Sequence, residues 1–345
     1  MTDAQRHDSN PRLDLREIYR PIERELETTT TTLRNSLRHG DPTLDGYLDY
    51  SFQLGGKRLR PALLLLAAQA WGRVEERCYL CAAALEMIHT GSLVHDDILD
   101  GARFRRHLET VNVKWDSHRA VLIGDLLITR AFDLICACDD SVIFRKVSNL
   151  CQATVEGELF QTNAIGNFNL TLDDYNVIVR GKTASLIECS TFLGGYLAGA
   201  RDADLDDFAR FGRMIGMAFQ IFDDVLDLVG DERATGKTLG TDLANRKETL
   251  PMIRYFESLS DSEAETLRER LATDLTYVER VEIADEMRRS GAVEAACKDA
   301  DALISDATQL LTRLEARGRE LGLQISSDAF ASLAALARFV ARRNI

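Results

Sequence analysis

At 345 residues and 45% apolar content, the chain is long enough to bury a large core and too apolar to be disordered. A net charge of −13 argues against a nucleic-acid partner and against a broad polybasic membrane patch, and no apolar run reaches the ~18 residues of a transmembrane helix. Seven cysteines follow an N-terminus (MTDAQRHDSNPRLD) with no apolar signal region, which predicts a reducing, cytoplasmic location.

In chain order, residues 1–14 predict a flexible segment and 15–345 a single domain. The TTTTT run at 28–32 lies between IYRPIERELE and LRNSL, both helical in pattern, so the helix is read through it. HGDPT at 39–43 predicts the first break, and GGKRLRP at 55–61 a glycine-started turn with a proline placed to open a helix. Only five prolines occur, none between Pro61 and Pro251, so the whole middle of the chain is free to be helix. ALLLLAAQAW, CAAALEMIH, AVLIGDLLITRAFDLICA and ASLIECSTFLGGYLAGA are Ala/Leu-rich and too long for strands. Cys78 and Cys81 spell C-x-x-C inside a helical pattern, Cys81 at the start of the second of these runs and Cys78 just before it, without a βαβ context, and predict two buried reduced thiols. Later breaks fall at AIGNFN (164–169) and GDERATGKTLGTD (230–242). The expectation is an all-α fold of ten or more helices.

Two acidic triplets carry the chemistry. Asp96, Asp97 and Asp100 stand at i, i+1 and i+4 at the end of an apolar run. Asp223, Asp224 and Asp227 repeat that spacing after MIGMAFQIF. On a helix, the first and third acids of each triplet stack on one face, so something must neutralise them. Carboxylates without His or Cys suit a hard divalent cation, most naturally Mg²⁺, with water and phosphate completing its shell. Two such faces across a cavity make a multi-metal clamp for a highly charged ligand such as a diphosphate. Basic residues cluster at the right places: Lys57, Arg58 and Arg60, then Arg105 and Arg106, Lys182 with Thr183, and Lys237 with Lys247. The GKT at 181–183 lacks the upstream glycine of a P-loop.

DDILDGARFRR, FQIFDDVLD, GGKRLRP, GKTAS and GTDLANRKETLP, in that register, resemble the signatures of the trans-isoprenyl diphosphate synthases, the polyprenyl synthetase family. The resemblance extends from about Leu15 to ARFVARR. It implies a helical bundle around a deep central cavity, usually a homodimer. It also implies that the six aspartates hold Mg²⁺ ions gripping an allylic prenyl diphosphate, with Asp96, Asp97, Asp100, Asp223 and Lys182 at the chemical centre. Arg105, Lys182, Thr183, Gln220, Lys237 and Lys247 match residues that bind that same diphosphate, and Lys57, Arg60, His89 and Arg106 match a pocket for isopentenyl diphosphate. The role of His89 rests on the match alone. The family commonly has glycine after the paired arginines where this chain has His107, a departure that bears on how tightly that loop can turn.

The implied reaction is ionisation of the allylic C–O bond, attack by the isopentenyl double bond and loss of a proton, in a cavity that excludes water. The tail should run down the face of the helix that carries Asp96, past Ser92, Ile88 and Leu85. Short-product members of the family typically carry a bulky aromatic four or five positions before the first aspartate. Gly91 and Ser92 stand there, which predicts a product beyond geranylgeranyl, of quinone side-chain length, with geranylgeranyl or farnesyl diphosphate synthase as the alternative. A class I terpene cyclase would need no second diphosphate pocket, and a partner subunit of a heteromeric synthase would usually lose acidic motifs. Contact with a membrane, if product release requires it, should be transient.

Overall fold

The computed structural model describes residues 14–54, 56–230 and 240–341. The expected loose segment lies almost wholly outside these residues, and so does Lys237. The helices are α1 (Leu15–Tyr19), α2 (Glu23–Leu37), α3 (Pro42–Gln53), α4 (Leu59–Trp71), α5 (Glu76–Leu99), α6 (Val111–Lys114), α7 (Ser117–Ala137), α8 (Ser141–Ala164) and α9 (Leu172–Val179). After a π-helical turn at Arg180–Ala184 come α10 (Ser185–Leu197), α11 (Asp202–Val229), α12 (Thr241–Ala244), α13 (Leu250–Ser258), α14 (Asp261–Leu271), α15 (Tyr277–Arg289), α16 (Ala292–Glu320) and α17 (Ser327–Ala341). Among the described residues the one sheet is a two-residue-per-strand hairpin, β1 (Phe104–Arg105) and β2 (Leu108–Glu109). The all-α expectation holds.

The threonine run sits inside α2. Thr28, Thr29, Thr30 and Thr31 each donate their hydroxyl to the carbonyl four residues back, at 2.9–3.1 Å. That back-bonding satisfies the hydroxyls within the helix and explains why a run of mediocre helix formers does not break it.

α4 and α5 form the centre of the molecule. Pro61 to Ala68 of α4 are buried without interruption, as are Cys81 to Ile88 of α5. A helix that is apolar all round must be surrounded by others. α5 is flanked by α2, α4, α7 and α10, while α11 lies between α10 and α16. Each fully buried leucine in this layer contributes about 1.5–3 kcal/mol relative to leaving it in water. The consequence for function is rigidity: both acidic triplets sit at the C-terminal ends of the two best-anchored long helices, α5 and α11. All seven cysteines are free thiols, and Cys78 and Cys81 are buried as the pattern predicts.

Candidate active site

Three acids near the C-terminus of a helix stand at the negative end of its dipole, an unfavourable placement that needs compensating cations. Arg105 of β1 supplies one. Its Nε donates to both oxygens of Asp97, at 3.0 and 3.1 Å, and its Nη2 donates to Oδ1 at 2.8 Å. Asp97 is 1% exposed, so this is an internal fork-on-carboxylate pair rather than a surface contact. Asp100, at the end of α5, is paired with Lys247 Nζ at 2.9 Å. Asp96 is half-buried. Burial pushes its carboxyl up to about 6, with Lys182 pulling the other way.

The second triplet repeats the arrangement with different partners. Asp224 is 4% exposed and accepts hydrogen bonds from Tyr175 Oη of α9 at 2.7 Å and Gln220 Nε2 at 2.8 Å. Burial still pushes it up to about 7. Gln220 in turn accepts from the Thr183 hydroxyl at 2.7 Å. Asp227 accepts the backbone N–H groups of Thr241 (3.1 Å) and Asp242 (2.9 Å), which fixes the start of α12 against α11. Asp242 joins the cluster, its carboxyl held well above the usual range by burial and by Asp227.

Lys182 and Thr183 lie in the π-helical turn. The turn lies against α8 at close approach: Gly157 packs so tightly on Gly181 and Lys182 that a side chain there would collide with their backbone. A π-turn adds one residue to the helical circuit and re-aims the side chains it contains. Lys182 Nζ is held by Glu158 at 2.5 Å and Gln161 at 2.7 Å, both on α8.

The four residues expected to seat isopentenyl diphosphate lie around the start of α4, on α5 and in the hairpin. Burial pushes His89 well below its ordinary value, and the positive charges of Arg60, Arg105, Arg106 and Arg58 act in the same direction. Lys57 Nζ lies 4.8 Å from the Phe339 ring centroid, and its carbonyl accepts from Tyr19 Oη at 2.9 Å. Arg106 and His107 form the two-residue turn of the hairpin, with φ of 52° and 67°. Turns of this length favour positive φ at both central residues and are ordinarily made with Asn and Gly. The loop is therefore tight despite His107, at the expense of backbone strain. The Arg106 guanidinium rests against Gly56, where any side chain would collide with it.

Along α5, Ser92 lies about 40° round the helix from Asp96, and Gly91 about 140° away. Ser92 is half-buried and donates to the His89 carbonyl at 2.9 Å, with Ile88 and Leu85 buried below it. Gly91 belongs to the seam with α7: a Cβ there would lie 2.9 Å from the Gly124 carbonyl oxygen and 3.0 Å from Ile128 Cγ1. A separate surface groove of about 320 Å³, lined in part by Tyr255, Glu263, Arg270 and Glu286, contains none of these residues.

Among the described residues no three His, Cys, Asp or Glu side chains already form a cage for an ion. The donors are all oxygens, however, carried on two faces bridged by Lys247, and Mg²⁺ is typically held by one or two carboxylates plus substrate phosphate rather than by an all-protein cage. That donor set fits a hard divalent cation. Sequence reasoning missed Tyr175, Glu158, Gln161 and Asp242. Asp242 stood within the GTDLANRKETLP motif, while the others gave no signal beyond being polar residues on amphipathic helices.

The polyprenyl synthetase family model matches residues 41–287. The chain is 39% identical over 222 residues to an all-trans-nonaprenyl-diphosphate synthase (geranyl-diphosphate specific) of Rhodobacter capsulatus, covering 64% of this chain and 68% of that protein. It is 32% identical over 271 residues to a geranylgeranyl diphosphate synthase of Saccharolobus solfataricus, covering 76% and 82%. Its fold matches the crystal structure of a polyprenyl synthase from Caulobacter crescentus, complexed with calcium and isoprenyl diphosphate, at a TM-score of 0.87 and 26% identity, over 96% of this chain and 98% of that one.

Proposed function

The chain belongs to the polyprenyl synthetase family of trans-isoprenyl diphosphate synthases, a family of prenyltransferases, and on that premise we propose that it extends an allylic prenyl diphosphate with isopentenyl diphosphate to a product longer than C20. The observation that carries the product length is Ser92, a small side chain on the Asp96 face with no aromatic at that level of the helix. The relatives run from geranylgeranyl to nonaprenyl synthases, so the length rests on this residue and not on their names.

Asp96, Asp100, Asp223 and Asp227 present the metal-facing oxygens, with Asp97 and Asp224 behind them. These carboxylates would hold divalent ions, Mg²⁺ by their all-oxygen donor set, and the ions would supply positive charge to the departing diphosphate. Lys182, Thr183, Gln220, Lys247 and the remaining Arg105 donor take its oxygens. Lys57, Arg60, His89 and Arg106 seat isopentenyl diphosphate, whose double bond attacks the allylic carbon. His89 sits there neutral, because burial disfavours its charged form and the nearby arginines add to that effect. The buried walls of α4, α5 and α10 keep water from the carbocation.

The exposed surface supports an assembly. The outer sides of α7 and α8 leave Leu122, Phe144, Val155, Leu159 and Phe160 exposed, each 45–60% accessible. A second copy of the chain covering this face makes the homodimer the reading expects. Among the described residues no helix is long and apolar enough to cross a membrane.

Purified protein supplied with farnesyl and labelled isopentenyl diphosphate should yield products longer than C20 by reversed-phase chromatography, and EDTA should abolish incorporation. Dominant C15 or C20 products refute the length, and incorporation that survives EDTA refutes the metal assignment.

A further inference from the structure

Glu86 lies in the middle of α5, three residues before His89, and is 2% exposed. One carboxylate oxygen meets Arg58 Nη1 at 3.3 Å, and the other, Oε2, is buried without a hydrogen-bond partner. A half-satisfied carboxylate inside a hydrophobic helix is unfavourable and is not explained by packing. Nor can Glu86 serve as a diphosphate ligand, since an anion beside that pocket repels its substrate. Its effect must pass through what it holds.

What it holds is the turn that opens α4. Arg58 is the N-cap of that helix and occupies the left-handed region, φ 52° and ψ 37°, which a residue with a side chain adopts only when its surroundings enforce it. Two contacts do so: the Glu86 carboxylate on one side and the face of Phe52, 5.7 Å from the guanidinium, on the other. Lys57 directly precedes Arg58 in the chain and Arg60 follows two positions on, and both are residues assigned to the pocket. Pinning Arg58 inward therefore sets the direction in which the other two project. It also distinguishes Arg58, held by Glu86 and Phe52, from Lys57 and Arg60, the two cations that the reading above assigns to the pocket.

We propose that Glu86 is the positioning residue of the isopentenyl diphosphate pocket, acting through Arg58 to fix the left-handed turn that aims Lys57 and Arg60. This rests on the reading of that pocket given above. The proposal has a sign that separates it from a simple charge effect. Glu86→Leu keeps the site apolar and filled. If Glu86 contributed only its negative charge, the substitution would make the pocket more positive and lower KM for isopentenyl diphosphate. If it positions the turn, KM rises, by about tenfold, the loss that a displacement well below 1 Å produces at a charge-assisted contact.

Arg58→Lys gives a second test on a half-exposed turn residue, independent of whether the α5 variant folds. It conserves charge and removes the planar fork, so a charge-only role leaves KM unchanged and a positioning role raises it. Steady-state kinetics on the full chain with Mg²⁺ should show KM for isopentenyl diphosphate raised in both variants, with KM for the allylic primer within about twofold of the parent. A lowered or unchanged isopentenyl KM overturns the proposal, as does an equal rise for both substrates. If the parent protein does not consume isopentenyl diphosphate, it is the pocket assignment that fails.

Discussion

Replacing Tyr175 with Phe removes one hydroxyl from the buried pair with Asp224 and leaves the packing of α9 intact. The two oxygens are 2.7 Å apart, and both residues are at most 4% exposed. A hydrogen bond to an ionised buried acceptor is worth about 1.5–3 kcal/mol, and one to a neutral acceptor nearer 1 kcal/mol. Asp224 is pushed up to about 7 by burial, against 3.8 for the free side chain. The folded state thus binds this proton more tightly than the unfolded state, and its ionisation lowers stability as pH rises from about 4 through 7. The Tyr175 hydroxyl opposes that shift, so its loss moves Asp224 further up and extends the penalty to higher pH. For EDTA-treated protein the substitution should cost about 2 kcal/mol at pH 8 and about 1 kcal/mol at pH 5.5. At roughly 2 °C per kcal/mol for a chain of this size, those are Tm losses of about 4 °C and 2 °C by calorimetry. Equal losses at the two pH values would show that the hydroxyl does not serve the ionised carboxylate, and a loss below about 1 °C at pH 8 would refute the pairing itself.

The remaining predictions concern length, seam, turn and assembly. Ser92→Phe should shorten the product distribution, read by chromatography, with little change in Tm; an unchanged distribution would mean the tail leaves the Asp96 face. Gly91→Ala should instead lower stability by about 1–3 kcal/mol, because its Cβ meets the Gly124 carbonyl at 2.9 Å and forces α5 from α7, and it should leave product length alone. His107→Gly relieves a residue held at φ 67° and should raise stability by about 1 kcal/mol in thermal melts; destabilisation would show that the imidazole is needed there. Leu159→Glu puts a charge on the exposed face of α8 and should give monomers by light scattering coupled to gel filtration; a variant that still elutes as a dimer places the interface elsewhere.

The helices were legible because their signal is periodicity, which survives any tertiary arrangement. The acid triplets were legible because i, i+1, i+4 spacing fixes relative direction on a helix before anything packs against it. The π-turn at Arg180–Ala184 was not legible, since nothing local distinguishes GKTAS from ordinary helix and the close packing of Gly157 on Gly181 is a contact across the bundle. Tyr175 was invisible for the same reason: its partner is 49 residues away. Gly91 and Ser92 looked like one feature because they are adjacent and small. A helix separates neighbours by about 100°, so one side chain faces the Asp96 side and the other α-carbon lies against α7.

That same rotation explains why each motif begins with two aspartates. In each triplet the first and third acids share a face, and the second, about a quarter-turn away, is the most buried of the three. Asp97 is committed to Arg105 and so ties α5 to the hairpin that carries Arg106. Asp224 is committed to Tyr175 and Gln220, and through Gln220 to Thr183, which ties α11 to the π-turn that carries Lys182. Lys247 then joins the end of the first triplet to the loop following the second. The middle acids thus act on the geometry of the basic residues, while of the outer acids Asp100 pairs with Lys247 and Asp227 accepts two backbone N–H groups, contacts that a bound cation would share. Asp97→Asn and Asp96→Asn should therefore fail differently. The first weakens the pull on Arg105, displacing the hairpin, and should raise KM for both diphosphates. The second removes charge from the metal face and should raise the Mg²⁺ concentration needed for half-maximal rate. Identical Mg²⁺ dependence in the two variants would collapse this division of labour.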